Sequence, residues 1–250
     1  MKAIAINEYG PAQNLHEIDL PTPQLAGDEV LVHEKATSIN PIDWKARLGL
    51  LKPMYDWAFP VVLGWDVSGV ITAVGSDVTD FAVGDEVFAR PDIYSDGTRG
   101  TYAEYVAVKT DKLAHKPENL TFEQAAAMPL AGLTAWQVVV DRLHVTQGDK
   151  VLIQGGAGGV GLFAIQIAKH LGAYVATTAS ASNAEFLKSL GADEVIDYHT
   201  TAIRDVLHDY DAVFDTVNAL HAGIAILKPS GRLAPIAGPP TEETAAARAT

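Results

Sequence analysis

Cysteine is absent from the 250-residue chain, which excludes disulfides, thiolate nucleophiles, iron–sulfur clusters and cysteine-ligated zinc at the outset. Cations are scarce as well. Lys and Arg number 18 against 31 Asp and Glu, a formal charge of −13, which repels phosphate backbones and anionic membrane surfaces. Neither nucleic acid nor a membrane is therefore expected as a partner. No run approaches about eighteen uninterrupted apolar residues, and the N-terminus MKAIAINEYG lacks a basic region followed by an apolar stretch. A cytoplasmic location is the expectation. The eight histidines, His16, His33, His115, His144, His170, His199, His208 and His221, are scattered singly, a pattern of packing or solvated residues rather than of metal ligands. What is present in quantity is hydrophobic residues, 48% of the chain, enough for one large domain or two modest ones.

From Met1 to about Asp111, short β-branched runs (KAIAI, GDEVLVHEKATSI, VSGVITAVG, VGDEVFAR, TYAEYVAV) alternate with turn residues, the punctuation of an antiparallel β domain. Gly27-Asp28, Gly75-Ser76-Asp77 and Gly84-Asp85 each fall between such runs and are read as tight turns in which Gly supplies positive φ. Between the strands, residues 40–64 hold Trp44, Tyr55, Trp57 and Phe59 among prolines. A loop this aromatic is either a packed plug or the lining of a pocket.

After Thr121 the pattern becomes helical in TFEQAAAMPLAGLTAWQVVVDRL, with Thr121 and Gln124 spaced as a capping box. The domain boundary is placed there, giving 1–122 and 123–250. Strand-like and helix-like runs then alternate (VLIQG, VGLFAIQIAKHLG, AYVATTA, NAEFLKSLG, EVIDY, TAIRDVLHD, DAVFDTV, GRLAPIA), which specifies an α/β doubly wound parallel sheet. Between the first strand and its helix lies Gly156-Ala157-Gly158-Gly159-Val160-Gly161, a G-x-G-x-x-G in the context that marks a dinucleotide site. Gly156 is read as the turn, Gly158 as the point of backbone approach to a pyrophosphate, and Gly161 as the helix–strand contact. The helix N-terminus adds unpaired N–H groups and a positive dipole end.

The end of the second strand decides the cofactor type, because a carboxylate there would hold an adenosine ribose 2′-OH. Here the run is Ala176-Thr177-Thr178-Ala179-Ser180-Ala181-Ser182-Asn183, with no acid before Glu185. Its hydroxyl and amide groups, Thr178 included, suit a 2′-phosphate, so NADP(H) is favoured over NAD(H), although the nearest cation is Lys188. Ser180 and Asn183 also have a plainer role open to them, as caps of the next helix.

Taken in order, Ser38-Ile39-Asn40-Pro41-Ile42-Asp43-Trp44-Lys45, Leu63-Gly64-Trp65-Asp66-Val67-Ser68-Gly69, Val83-Gly84-Asp85-Glu86-Val87, Ala131-Gly132-Leu133-Thr134-Ala135-Trp136, the glycine loop and Leu190-Gly191-Ala192-Asp193-Glu194-Val195-Ile196-Asp197-Tyr198 resemble the medium-chain dehydrogenase/reductase superfamily. Within it they resemble the zinc-independent quinone oxidoreductase and alkenal reductase branch. The resemblance implies a GroES-like antiparallel β domain and a Rossmann NADP(H) domain with the active cleft between them. It further implies that Asn40, Lys45 and Thr134 lie around the nicotinamide, its ribose and nearby phosphates, and that Gly158, Gly159 and Val160 take the pyrophosphate. Ser180, Asn183 and Tyr198 would hold the adenosine end, and Val217 with Ile236, Ala237 and Gly238 the nicotinamide side. Asp43 and Lys45 have a cap and a solvated charge as their plain alternatives.

Zinc-dependent relatives carry a Cys, a His and a Cys where Asn40, Trp65 and Leu130 stand, so no metal is expected. The implied reaction is NADPH-dependent reduction of a small-molecule quinone or enone, with Tyr55, Trp57, Phe59 and Trp65 as an aromatic wall and Tyr55 or a water as donor to the developing oxyanion. Asn40, Tyr55 and Trp65 are the candidate catalytic residues; a non-catalytic NADPH-binding redox sensor is the rival reading. Family members continue past the fifth Rossmann strand with a sixth that often dimerises them. This sequence stops in the helix-like run Ala245–Thr250 and is expected to be a shortened or incomplete form. That expectation leaves the implied homodimer open for this chain.

Overall fold

The computed structural model describes residues 1–92 and 97–238; the run Ala245–Thr250 lies outside them. The chain divides into two compact units, Met1–Leu130 and the part from Ala131 onward. The first contains β1 (Lys2–Ile6), β2 (His16–Asp19), β3 (Glu29–Thr37), β4 (Val61–Val62), β5 (Val67–Val74), β6 (Glu86–Ala89), β7 (Tyr105–Lys109) and β8 (Leu113–His115). They form two antiparallel sheets, ordered β2-β1-β4 and β7-β3-β5-β6-β8. In the larger sheet Val32 sits opposite both Ile71 and Val106, so alternate residues of the central strand fall on one face. That face closes over a core of Val30, Val32, Val67, Ile71, Val87, Val106 and Val108.

Only Gly84 of the three expected turn glycines takes a left-handed backbone, with φ +101°. At Gly75 the requirement is close approach instead: a Cβ there would lie 2.3 Å from the Ala26 carbonyl oxygen.

Helix α1 (Pro41–Arg47) starts with proline at its first position, where the missing N–H has no helical partner to lose. The run after Thr121, read as one helix, is three segments: α2 (Phe122–Ala126), α3 (Pro129–Trp136) and a π-helical stretch from Gln137 to Arg142. Pro129 causes the first break, since it disfavours helical backbone at Met128 and donates no hydrogen bond. The capping box forms as expected: Gln124 N donates to Thr121 Oγ1 at 3.2 Å and Thr121 N to Gln124 Oε1 at 3.0 Å. Helix α2 packs on β3 and β5 and so lies with the first unit.

The second unit is the parallel sheet β9 (Lys150–Gln154), β10 (Tyr174–Ala179), β11 (Glu194–Asp197), β12 (Tyr210–Asp215) and β13 (Leu227–Pro235), in the order β11-β10-β9-β12-β13. Its helices are α4 (Gly159–His170), α5 (Ala184–Ser189), α6 (Ile203–Val206) and α7 (Leu220–Ile224). Helix α4 buries Gly161, Ala164, Ile165 and Ala168, the i, i+3, i+4, i+7 stripe that an amphipathic helix turns to a core. Leu152 and Ile153 of β9 and Phe214 of β12 are fully buried, each side chain contributing roughly 1.5–3 kcal/mol through removal from water. The strand order reverses at β9, which places the ends of β9, β10 and β12 at the position where open α/β sheets bind ligands. Among the described residues no helix is long and apolar enough to cross a membrane.

Candidate functional site

The loop leaving β9 is pinned to its neighbours by a set of short hydrogen bonds. Gly155 N donates to Thr178 Oγ1 at 3.0 Å, Gly156 N to the Thr178 carbonyl at 3.0 Å, and Thr216 Oγ1 to the Gln154 carbonyl at 2.6 Å. The sharp turn falls one residue earlier than the motif suggested, at Gly155 with φ +80°. Gly156 is required for another reason: a Cβ would lie 2.0 Å from Thr177 Oγ1. Gly161 lets α4 pass over the loop, since its Cβ would meet Gly155 O at 2.4 Å. Gly158 and Gly159 differ from these. An added Cβ would find only Gly155 O at 3.3 Å and Ala131 Cβ at 3.9 Å, respectively. The protein has room for a side chain at Gly159, and at Gly158 a methyl would need only a shift of a few tenths of an ångström in the Gly155 carbonyl, so their lack of one keeps space open at the N-terminus of α4.

That space belongs to a cavity of about 840 Å³. Of the predicted residues, Gly158, Thr178, Ser180, Asn183, Tyr198 and Val217 line it. Gly159 and Val160 open α4, and Ile236, Ala237 and Gly238 follow β13, with Ile236 N donating to the Asp215 carbonyl at 3.0 Å. Ser180 and Asn183 do not serve as side-chain caps, so the plainer reading fails and both polar groups remain available to the cavity. Ser180 Oγ lies 3.4 Å from Tyr198 Oη and 3.3 Å from His199 Nε2.

Sequence inspection missed Arg204, which also lines this cavity. It stands on the short helix α6, after β11, whereas the search for a cation followed the end of β10. Only the parallel pairing of β10 with β11 brings the two loops together. Its nearest carboxylate is that of Asp205, 3.8 Å away, and both side chains are exposed.

The remaining predicted residues are on other elements: Thr134 on α3 and Lys45 on α1, its ammonium 5.8 Å from the Trp44 ring centroid. Asn40 precedes α1 and is nearly buried. Its backbone N–H donates to Asp43 Oδ2 at 2.5 Å, so Asp43 does cap the helix. Burial pushes Asp43 up to about 6 against the pull of that donor. Asp66 is fully buried; burial raises its pKa while donors from Ser38, Asn40 and the Leu130 backbone hold it down.

The aromatic loop divides between packed and exposed rings. Trp57 and Trp65 are 7% and 2% exposed and pack with Ile6, Ala46, Val61 and Leu63. Tyr55 stacks on Trp57 with centroids 5.1 Å apart and planes 2° from parallel. Trp44 and Phe59 face solvent, 44% and 40% exposed, with Phe59 edge-on to Tyr9. Hydrophobic burial of the two indoles decides this arrangement.

Residues 26–118 match the family model described as alcohol dehydrogenase GroES-like domain, and residues 159–249 the one described as zinc-binding dehydrogenase. A chloroplast envelope quinone oxidoreductase homolog of Arabidopsis thaliana is 40% identical over 88% of this chain and 69% of its own length. The chain belongs to the medium-chain dehydrogenase/reductase superfamily. Another member, the chloroplastic NADPH-dependent alkenal/one oxidoreductase of Arabidopsis thaliana, is 40% identical over 95% of this chain. This medium-chain dehydrogenase/reductase chain spans 63% of that relative's length. Among solved structures, the quinone oxidoreductase of Coxiella burnetii superposes with a TM-score of 0.87 at 39% identity, covering 100% of this chain and 79% of its own.

Proposed function

We propose that this chain carries the NADPH-binding and substrate-side machinery of a reductase that acts on quinones or α,β-unsaturated carbonyls by hydride transfer, without zinc. The observation that carries the reading is the cavity at the end of β9 and β10, lined by Gly158 at the start of α4 together with the acid-free polar groups Thr178, Ser180, Asn183 and Tyr198 and with Arg204. Its relatives include an NADPH-dependent alkenal/one oxidoreductase and quinone oxidoreductases, which supports the same chemistry.

Bound NADPH would supply the hydride. The N–H groups at the start of α4, from Gly158 through Val160, suit its pyrophosphate. Thr178, Ser180, Asn183 and Tyr198 offer hydroxyl and amide groups to the adenosine end, and Arg204 offers charge to a 2′-phosphate. Val217 and Ile236 to Gly238 would take the nicotinamide side, and Lys45 and Thr134 would serve its ribose and phosphates. Asn40 supplies a polar contact near the reacting ring, Tyr55 a hydroxyl toward the acceptor oxygen, and Trp65 the packed support behind the Trp57–Tyr55 stack. The donor set does not fit zinc. Positions 40, 65 and 130 hold an amide, an indole and an aliphatic side chain, and both Asp66 oxygens accept protein hydrogen bonds, so tetrahedral N/S coordination has no ligands here.

The test is oxidation of NADPH with short quinones and 2-alkenals, read by nicotinamide absorbance alongside a direct NADPH titration. Acceptor-dependent turnover is expected; tight NADPH binding with no turnover for any acceptor would turn the assignment to a redox sensor. Arg204→Ala is expected to weaken NADPH binding about tenfold and NADH binding hardly at all, since a single charge-assisted contact to the 2′-phosphate is lost. Equal losses for the two nucleotides would remove Arg204 from that subsite.

A further inference from the structure

Asp66 is fully buried, and none of the steps above uses it. Its carboxylate collects three donors from two segments of the first unit. Oδ2 accepts from the Ser38 hydroxyl and from Asn40 Nδ2 at 2.6 Å, and Oδ1 accepts from the backbone N–H of Leu130 at 2.7 Å. Asn40 Nδ2 donates a second bond, to Ser38 Oγ at 3.1 Å. A primary amide has two N–H donors and one carbonyl oxygen, and here both donors are committed to Asp66 and Ser38. Turning the amide over would set its carbonyl oxygen against the Asp66 carboxylate, replacing a charge-assisted hydrogen bond with repulsion inside a water-poor core. The orientation is therefore locked. The carbonyl oxygen sits over the first turn of α1, where Asp43 completes a capping box, and with two lone pairs it keeps capacity for one donor from a ligand.

We propose that Asp66, supported by Ser38, is a positioning residue that fixes Asn40 as a hydrogen-bond acceptor, so that Asn40 selects an N–H or O–H donor on the nicotinamide nucleoside rather than an acceptor. This rests on the function proposed above, in which Asn40 meets the cofactor. A carboxylate at position 66 has this use because position 40 is an amide, whose N–H groups it can accept. Removing Asp66 acts on the reaction only through Asn40.

Asp66→Asn tests this with little change of shape. The new amide still accepts from Leu130 but places N–H groups toward Asn40, which releases Asn40 to turn. In the wild-type protein the side-chain amide protons of Asn40, assigned by their loss in Asn40→Ala, are expected to exchange slowly with solvent. In Asp66→Asn they are expected to exchange rapidly. In steady state, Asp66→Asn and Asn40→Ala are each expected to lower kcat about tenfold or more, and the double variant to be no worse than Asn40→Ala alone, the signature of two residues acting as a unit. Losses that multiply, or Asn40 amide protons that exchange rapidly in the wild type, overturn the proposal. Where Asp66→Asn does not fold, Ser38→Ala removes one acceptor of the Asn40 amide and is read in the same two ways. Should the wild type turn over no acceptor, the functional reading fails, and the exchange measurement still decides the link between Asp66 and Asn40.

Discussion

Replacing Gly158 with alanine is expected to lower NADPH affinity on the order of a hundredfold while leaving the fold intact, whereas Gly161→Ala is expected to damage the fold itself. The two glycines look alike in the G-x-G-x-x-G pattern, and what an added methyl would meet separates them. At Gly158 it meets one carbonyl oxygen at 3.3 Å, and the residue already has φ −79° and ψ 160°, backbone that alanine adopts freely. The only thing the methyl displaces is whatever approaches the start of α4. At Gly161 it meets Gly155 O at 2.4 Å and Gly156 Cα at 2.8 Å, backbone atoms that cannot swing aside, so α4 must lift from β9 at a cost of roughly 1–3 kcal/mol or more. Thermal unfolding without cofactor, set beside an NADPH titration, checks both. A Gly158→Ala protein that binds NADPH like the wild type would mean that the cofactor does not pass over this loop. A Gly161→Ala protein of undiminished stability would mean that the helix–loop contact is not required.

Glu34→Gln is expected to stabilise the protein at neutral pH and to change almost nothing near pH 4. Burial pushes the Glu34 carboxyl from 4.5 up to about 9, and its Oε2 has no hydrogen-bond partner where it borders a groove with Thr37, Ile39 and Tyr102. Between those two pH values the folded state holds a proton that the unfolded state has released. The slope of unfolding free energy against pH is therefore negative, and stability falls as pH rises from about 4.5 to about 9. At pH 7 the folded chain carries a protonation cost of roughly 3 kcal/mol, at about 1.4 kcal/mol for each pH unit above the unfolded value, and a glutamine carries none. Urea unfolding of both proteins at several pH values measures the difference, which should grow with pH. A difference that does not vary with pH would place the Glu34 carboxyl at its ordinary value.

Much of the fold was legible because it rests on local rules. Alternating β-branched runs separated by turn residues identified β1, β3, β5, β6 and β7 of the first unit but not the short β2, β4 and β8, and strand–helix alternation identified the parallel sheet. In α4 and at its C-cap the apolar residues Leu162, Ile165, Ala168 and Leu171 recur at three- and four-residue steps, and of these Ile165 and Ala168 join Gly161 and Ala164 on the buried face. The Thr121–Gln124 capping box likewise needs only four consecutive residues. The acid-free end of the second strand pointed to the cofactor class, and the cavity gathers Thr178 from that run with five residues that the family resemblance named, Gly158, Ser180, Asn183, Tyr198 and Val217.

Other features involve residues far apart in sequence, and no window of the chain contains them. Arg204 reaches the cavity wall at Ser180 only because β10 and β11 lie side by side. Asp66 orients Asn40 across 26 positions and takes a donor from Leu130 across 64. Trp57 and Trp65 read equally well as pocket wall or plug until the neighbours that bury them are known, and a hydrophobic core of Ile6, Ala46 and Leu63 made them plug. The chain's periodicity and glycine spacing by themselves determined the main strands and helices of the second unit and, to within one residue, the glycine turn between β9 and α4, since those depend on backbone stereochemistry and on which face is apolar. Only the tertiary structure decided which glycines the protein needs for itself and which it leaves open, which cation joins the cavity, and which way the Asn40 amide points, because each depends on atoms supplied by a different strand.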